Sequence, residues 1–378
     1  MDGRLTIAEP SSASIDFGNG QPADALLPLQ SLRKAAEHAL AQGDATMLQY
    51  GANAGDTGVR ASLAHFLTRR YGIPVAAGQL MVSAGISQAL DLVCTRFAKP
   101  GDTIFVEEPT YFLALDIFRD HGLTVVGIPI DGDGLRTDAL RDALTRHRAA
   151  FLYTIPSFQN PSGATMSAAR REELIALSGE YDLLVVADEV YHLLDFGVAP
   201  PPPLATYVGA SRVLSLGSFS KICAPGLRLG WIHGAPALLE ALAHSGVVES
   251  GGGLNPFASS VMKSLIDLGL ADRVLDDLRR VHAHHARVLC AALRTHVPRA
   301  TFVEPRGGYF VWLELPHDIT GAALLKTATQ EGVTFHPGSR FVSGGGFPHA
   351  ARLSFAHYDE RGLVEGVQRF AVAMGASR

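Results

Sequence analysis

A chain of 378 residues is long enough for two lobes, each with its own core. With 47% apolar and 18% charged residues it is not a disordered chain, and a net charge of −5 argues against a broad basic face for nucleic acid. No run reaches the roughly 18–20 apolar residues of a membrane helix, and the opening MDGRLTIAEPSSAS lacks a basic leader followed by a long apolar core.

The chain begins with an arm that contains Ile15-Asp-Phe-Gly-Asn-Gly20-Gln-Pro22, followed by an amphipathic helix over Leu29–Ala41. After Tyr50, the residues Val59, Leu63, Phe66 and Leu67 recur at helical spacing and mark one buried face. From residue 80 to 233 short apolar runs alternate with helical stretches. The predicted strands are Leu80–Val82, Thr103–Glu107, Thr124–Ile128, Ala150–Ile155, Leu183–Asp188, Val213–Leu216 and Leu229–His233, with helices such as Ser87–Phe97 and Ser167–Tyr181 between them. Apolar strands alternating with helices predict a mostly parallel seven-stranded sheet covered on both faces, with ligands at the carboxyl ends of its strands. A long helical region is expected over Pro256–Arg294, with His282, His284 and His285 on a solvated face. The last hundred residues switch to the strands Ala300–Glu304, Gly308–Leu315 and Ala351–Ala356 with helices near 320–331 and 359–374, which predicts a smaller α+β lobe. The expected division is 1–45 for an arm and helix joining the small lobe, 46–275 for the large lobe and 276–378 for the small one.

The strand ends carry the chemistry. The segment Ser215–Trp231 places Lys221 just beyond an apolar run, with Ser218 before it and Arg228 seven residues after it. A lysine amine becomes a nucleophile towards carbonyls where desolvation or nearby positive charge disfavours the ammonium. Arg228 is a candidate source of that charge and suits a phosphate, which a guanidinium holds bidentately. Ser218-Phe-Ser-Lys221 is also an S-x-x-K, the nucleophile motif of serine β-lactamases, although Lys326-Thr327-Ala328 only approaches their K-T-G. A buried lysine without a chemical role is the third possibility. Further along these ends stand Gly85-Ile86-Ser87 at a helix start, a natural anion site, then Tyr111, the turn Asn160-Pro-Ser-Gly163, and Asp188-Glu-Val-Tyr191. A carboxylate closing an apolar strand is costly unless a cation meets it, and adjacent strand residues point opposite ways, so Asp188 and Glu189 make a poor metal pair.

The pattern Ser218-Phe-Ser-Lys221 followed by Pro225-Gly-Leu-Arg228-Leu-Gly230 resembles the lysine segment of pyridoxal phosphate enzymes of fold type I, the class I/II aminotransferases. The resemblance runs from about residue 15 to 370 with its motifs in family order. It implies a large α/β lobe carrying the cofactor, a small α+β lobe, and a Schiff base on Lys221. Asp188 is then expected on the pyridinium nitrogen, Asn160 and Tyr191 on the phenolic oxygen, and Tyr111 stacked on the ring. The phosphate falls to Gly85, Ile86, Ser87, Ser218 and Arg228, with Tyr50 reaching the site of a neighbouring subunit. Arg352 in Arg352-Leu-Ser-Phe-Ala356 matches the clamp for the substrate α-carboxylate, with Gly20 and Asn160 beside it. Arg340, His336 and Tyr309 are candidates for lining the substrate pocket.

The resemblance implies transfer of an amino group from an L-amino acid to a 2-oxo acid. Its motif style, Gln88-Ala-Leu-Asp-Leu92 and Phe335-His-Pro-Gly338, is similar to the 2-aminoadipate/aromatic branch. A lyase or synthase on the same scaffold is the alternative chemistry. A regulator with an aminotransferase-like effector domain is disfavoured, because the chain starts almost at the family's first motif. Expected partners are small-molecule amino and oxo acids and a second copy of the chain in a homodimer, with no metal, membrane or nucleic acid. The scattered Cys94, Cys223 and Cys290 form no metal spacing or disulfide framework and fit a cytoplasmic enzyme.

Overall fold

A computed structural model describes residues 14–251 and 253–376. The chain enters through β1 (Ile15–Asp16) and α1 (Leu29–Ala41), then α2 (Thr57–Tyr71). There follow β2 (Leu80–Ser83), α3 (Ile86–Phe97), β3 (Thr103–Glu108), α4 (Phe112–Asp120), β4 (Thr124–Asp131), β5 (Gly134–Leu135) and α5 (Thr137–Arg146). Next come β6 (Ala149–Thr154), α6 (Ala168–Glu180), β7 (Leu184–Asp188), β8 (Val213–Ser218) and β9 (Gly230–Gly234). Four helices then run in succession: α7 (Pro236–Ala243), α8 (Gly246–Gly251), α9 (Pro256–Asp267) and α10 (Leu270–His296). The rest is β10 (Thr301–Phe302), β11 (Phe310–Glu314), α11 (Gly321–Gln330), β12 (Val333–Thr334), β13 (His336–Pro337), β14 (Ala350–Ser354) and α12 (Glu360–Ala376).

The large sheet has the order β2-β9-β8-β7-β6-β3-β4-β5. Five neighbouring strands, β8, β7, β6, β3 and β4, are parallel, while β9 runs antiparallel to both β8 and β2. The seven predicted strands are all present, and the two-residue β5 adds an eighth as a hairpin on β4, too short to show in the hydrophobic pattern. Every residue of β7, β8 and β9 is buried, as both-sided helix cover demands. One core lies under α2, α3, α4 and α9, and a second under α5 and α6 on the opposite face.

The smaller sheet, β10-β11-β14-β13, is antiparallel and has a separate core with α11, α12 and the end of α10. The arm is tied to it by β1, which pairs with β12. The helix expected to join the small lobe does otherwise: α1 buries Ala35 and Ala39 in the core of the large sheet, and His38 Nδ1 lies 3.0 Å from Ser264 Oγ on α9. Small residues along that stripe let α1 lie close to α9, which decides its placement. The predicted long helix is two, because Gly269 adopts φ 66°, a left-handed conformation that ends one helical run and starts another. The histidines on α10 also depart from expectation. His284 is exposed, but His282 and His285 are buried, sharing with Leu278 and Leu289 the spacing of one inward face.

Candidate active site

The antiparallel β9 between β2 and β8 brings three strand ends into one row, because Gly230 lies opposite Ser83 on one side and Ser218 on the other. This register sets Ala84-Gly85, the start of α3, beside Arg228. Gly85 has φ 85° and a Cβ there would stand 3.3 Å from Arg228 Nη2, so its missing side chain keeps a space open between guanidinium and helix end. Among the described residues no side chain caps α3, leaving the amides of Ile86 and Ser87 and the helix dipole available to an anion. Arg228 itself takes a left-handed backbone, and its side chain is steadied by the carbonyls of Pro225 at 3.3 Å and Ala84 at 3.4 Å. Ser218 Oγ accepts from the amide of Ser220 at 3.1 Å and lies 2.9 Å from Ser220 Oγ.

At the end of β7, Asp188 is 3% exposed and makes no ion pair among the described residues. It accepts from Tyr153 Oη at 2.8 Å and from the amide of Val190 at 3.2 Å. Burial lifts its carboxyl to about 6 despite those two donors, with Glu107 and Glu189 adding to the rise. Glu189 faces away, receiving Ser215 Oγ and the amide of Leu204. Glu107 is also buried, held by Thr154 Oγ1 at 2.5 Å, the amide of Ile155 at 3.0 Å and Gln159 Nε2 at 3.1 Å. This knot fixes the loop that carries Asn160. Arg171 secures the loop's two ends by donating to the carbonyls of Pro156 at 2.7 Å and Met166 at 3.0 Å.

Lys221 lies within electrostatic reach of Asp188, Arg228 and Arg352. Its Nζ donates to the carbonyl of Gly20 on the arm at 2.6 Å and stands 5.5 Å from the centroid of Tyr309, while Tyr309 Oη donates to the Lys221 carbonyl at 2.8 Å. Burial and then the charge of Arg352 bring its amine down to about 8, with Asp188 opposing and Arg228 adding a smaller push. The sequence reading gave that influence to Arg228; the buried guanidinium at 352 exerts more. Ser218 is bonded to Ser220 and Leu229 rather than to the lysine amine, so the serine-nucleophile arrangement is not formed.

Arg352, on β14, is buried across from these residues. It donates to Asn160 Oδ1 and to the carbonyl of Gly18, both at 2.8 Å, and stacks on Phe310 at 3.8 Å. Its Nε is buried without a partner among the described residues. Burial brings the guanidinium down to about 10. Tyr191 packs against Tyr309 and Phe310, and Gly20 lies against Phe310. Tyr111, at the start of α4, is pushed up to about 12 by burial and by Asp188. Tyr50 alone of the predicted residues stays outside this cluster, 84% exposed on a single chain.

Residues 12–370 match the family described as aminotransferase class I and II. The chain belongs to that family. An aromatic-amino-acid aminotransferase from Thermococcus litoralis is 33% identical, over 97% of this chain and 89% of the relative. A 2-aminoadipate transaminase from Thermus thermophilus is 35% identical, over 95% of this chain and 90% of the relative. The solved α-aminoadipate aminotransferase of Thermus thermophilus, complexed with N-(5'-phosphopyridoxyl)-L-leucine, superimposes with a TM-score of 0.89 at 33% identity, covering 99% of this chain and 95% of that one. The aminotransferase is thus a pyridoxal phosphate enzyme of fold type I that transfers an amino group between an amino acid and a 2-oxo acid.

Three observations fit the cofactor to this aminotransferase. Asp188 is a buried acid short of a cation, the Gly85 cradle beside Arg228 suits a phosphate, and Lys221 offers an amine within electrostatic reach of both Asp188 and Arg228. Tyr153, Gly18 and Phe310 also shape the site and escape a reading of the sequence. Tyr153 sits in an apolar strand and reads as core, Gly18 acts through its carbonyl, and Phe310 reads as one more buried strand residue. A signal existed for Tyr153 alone, since β6 and β7 are consecutive parallel strands and Tyr153 falls near the end where Asp188 needs a donor.

Proposed function

We propose that Lys221 is the residue that carries the cofactor, and that Asp188 holds its ring nitrogen in the protonated form. Arg228, Ser218 and the amides of Gly85, Ile86 and Ser87 receive the phosphate, Tyr111 covers the ring, and Asn160 and Tyr191 face its phenolic oxygen. Bound there, pyridoxal phosphate supplies an aldehyde for amines and a ring that draws electrons from the substrate Cα. The observation that carries the assignment is Asp188, a buried carboxylate with two neutral donors and no ion pair, whose cost a pyridinium N–H removes.

The remaining chemistry belongs to this chain. Arg352 binds the substrate α-carboxylate, which takes over the guanidinium edge now engaged with Asn160 and Gly18, while its unpartnered Nε offers a further donor. That contact aims the Cα–H at Lys221 Nζ. An amine held near 8 is in part neutral at physiological pH, so it can take the Cα proton and return it as the acid. The carbonyl of Gly20 orients the amine, and the Tyr309 hydroxyl fixes the Lys221 backbone through its carbonyl.

The names of the relatives support an amino acid of aromatic or 2-aminoadipate type as donor. We further infer a cytoplasmic homodimer in which the exposed Tyr50 serves the partner's site. Three buried, unpaired cysteines and the lack, among the described residues, of a helix long and apolar enough to cross a membrane support that location. For the lobes we retain the division near residue 275, but count α1 with the large sheet, so that only the arm before it joins the small lobe. The test is a screen of amino donors against 2-oxoglutarate and pyruvate with identification of both products, together with borohydride reduction and peptide mass mapping. Reduced cofactor on the Lys221 peptide and a paired oxo acid and amino acid are expected. A cofactor fixed elsewhere, or products lacking that pairing, would overturn the assignment.

A further inference from the structure

Beyond Arg352 the site holds a second guanidinium without a task in the mechanism above. His336 on β13 stands directly opposite Arg352 on β14, so both side chains leave the same face of the small sheet. Arg340, in the turn Gly338–Phe341, donates from Nη1 to His336 Nδ1 at 3.1 Å. Its guanidinium carbon lies 4.1 Å from the centroid of Phe112, and that of Arg352 lies 6.0 Å from the same centroid. The two cationic groups are therefore no further apart than these distances combined, about 10 Å, around a ring that follows Tyr111 in the chain.

Arg340 makes no ion pair among the described residues. The acids near enough to act on it, Asp116 and Asp16, are engaged elsewhere. Asp116 pairs with Arg119 at 2.6 Å, and Asp16 Oδ1 accepts from the amide of Gly18 and from Thr334 Oγ1, both at 2.8 Å. His336 offers no negative charge either. It accepts from Arg340 at Nδ1, so its proton sits on Nε2 and the ring is neutral. Burial and the two guanidiniums hold it so. A half-buried cation seated on an aromatic face and a neutral imidazole, with no anion, is the arrangement expected of a site that a ligand completes.

We propose that Arg340 is a specificity-determining residue that receives the distal carboxylate of a dicarboxylic substrate, a 2-amino or 2-oxo diacid whose other end is held by Arg352. Phe112 and His336 form the wall along which the methylene chain lies. This inference rests on the amino-transfer reading and sharpens it: of the two substrate types the relatives suggest, a diacid alone answers both guanidiniums.

The test compares the holoenzyme with its R340A and R340K variants, all checked for unchanged cofactor absorbance and far-ultraviolet circular dichroism. Measured with one common amino donor, the ratio of kcat/KM for 2-oxoglutarate to that for 4-methyl-2-oxopentanoate should fall by roughly 10- to 100-fold in R340A, the range for a lost charge-assisted hydrogen bond. R340K should restore part of it. A second readout needs no turnover: by calorimetry, glutarate should bind wild type more tightly than pentanoate, and that preference should vanish in R340A. A ratio that moves less than about threefold, or no preference for glutarate in wild type, overturns the inference while leaving amino transfer intact. If wild type transfers to neither oxo acid from any donor, the amino-transfer reading itself fails.

Discussion

Asp188→Asn separates two effects of one carboxylate. In the cofactor-free protein the acid is buried without a cation, and its folded value near 6 against the ordinary 3.8 makes it a liability. At about 1.4 kcal/mol per pH unit of difference, the penalty reaches about 3 kcal/mol. The unfolded chain gives up its proton first, so stability is lost as pH rises from about 4 to about 6 and the penalty is complete above that. Asparagine removes the charge but cannot accept from both Tyr153 and Val190, since one oxygen becomes an amide donor; that costs about 1 kcal/mol. Cofactor-free D188N should therefore be more stable than wild type by about 2 kcal/mol at pH 8 and less stable by about 0.5 kcal/mol at pH 4, where the penalty has only begun to build. Urea denaturation followed by the fluorescence of Trp231 and Trp312 measures both. With cofactor the order at pH 8 should reverse, because the variant would lose the partner proposed for the pyridinium, and release of cofactor on dilution should be faster. A difference of the same size and sign at pH 4 and pH 8 would refute the electrostatic argument.

The other predictions address separate parts of the site. Lys221→Ala should abolish turnover and the borohydride-fixed cofactor; normal activity would contradict its role. In cofactor-free protein the rate at which the Lys221 amine condenses with pyridoxal phosphate should rise with pH around a midpoint near 8, because the buried amine sheds its proton well below the ordinary 10.5. A midpoint near that ordinary value would show that neither burial nor Arg352 acts on it. Arg352→Ala should lower kcat/KM by roughly 100-fold or more for every amino acid alike, through loss of a bidentate contact; a loss confined to one substrate class would move the α-carboxylate elsewhere. Mixing inactive Tyr50→Ala and Lys221→Ala chains should recover about a quarter of wild-type activity, since half of randomly mixed dimers carry one intact site. No recovery despite mixed dimers, shown by native mass spectrometry, would remove Tyr50 from the shared site.

What the sequence disclosed and what it hid divide along a physical line. The grouping of Lys221, Asp188, Asn160 and Arg352 was legible in two ways: Lys221 and Asp188 are polar residues closing apolar runs, a setting that penalises them, while Asn160 and Arg352 stood out only through the family motifs they resemble. The helix–strand alternation between residues 80 and 233 was legible for the same kind of reason, since both-sided burial leaves continuous apolar runs. Tyr153 and Phe310 stayed hidden because their side chains look like ordinary core until the partner is in place. The placement of α1 against α9, and the inward turn of His282 and His285, are decided by packing between distant segments. The Leu278–His282–His285–Leu289 spacing nevertheless held a readable clue, which a bias towards solvated histidines overrode. The preference of Lys221 for Arg352 over Arg228 as its stronger electrostatic neighbour follows from burial, which sequence distance does not report.

The guanidinium of Arg352 bonds at one nitrogen to the loop leaving the large sheet and at the other to the arm that is paired with β12. A hydrogen bond of 2.8 Å tolerates less than about 1 Å of stretch before it is lost. Relative sliding of the two sheets is thereby limited at the residue proposed to receive the substrate's acid group. On that proposal, a carboxylate that displaced Asn160 and Gly18 from this residue would also cut the tether, and the free and occupied enzyme would be held together by different bonds at the same spot.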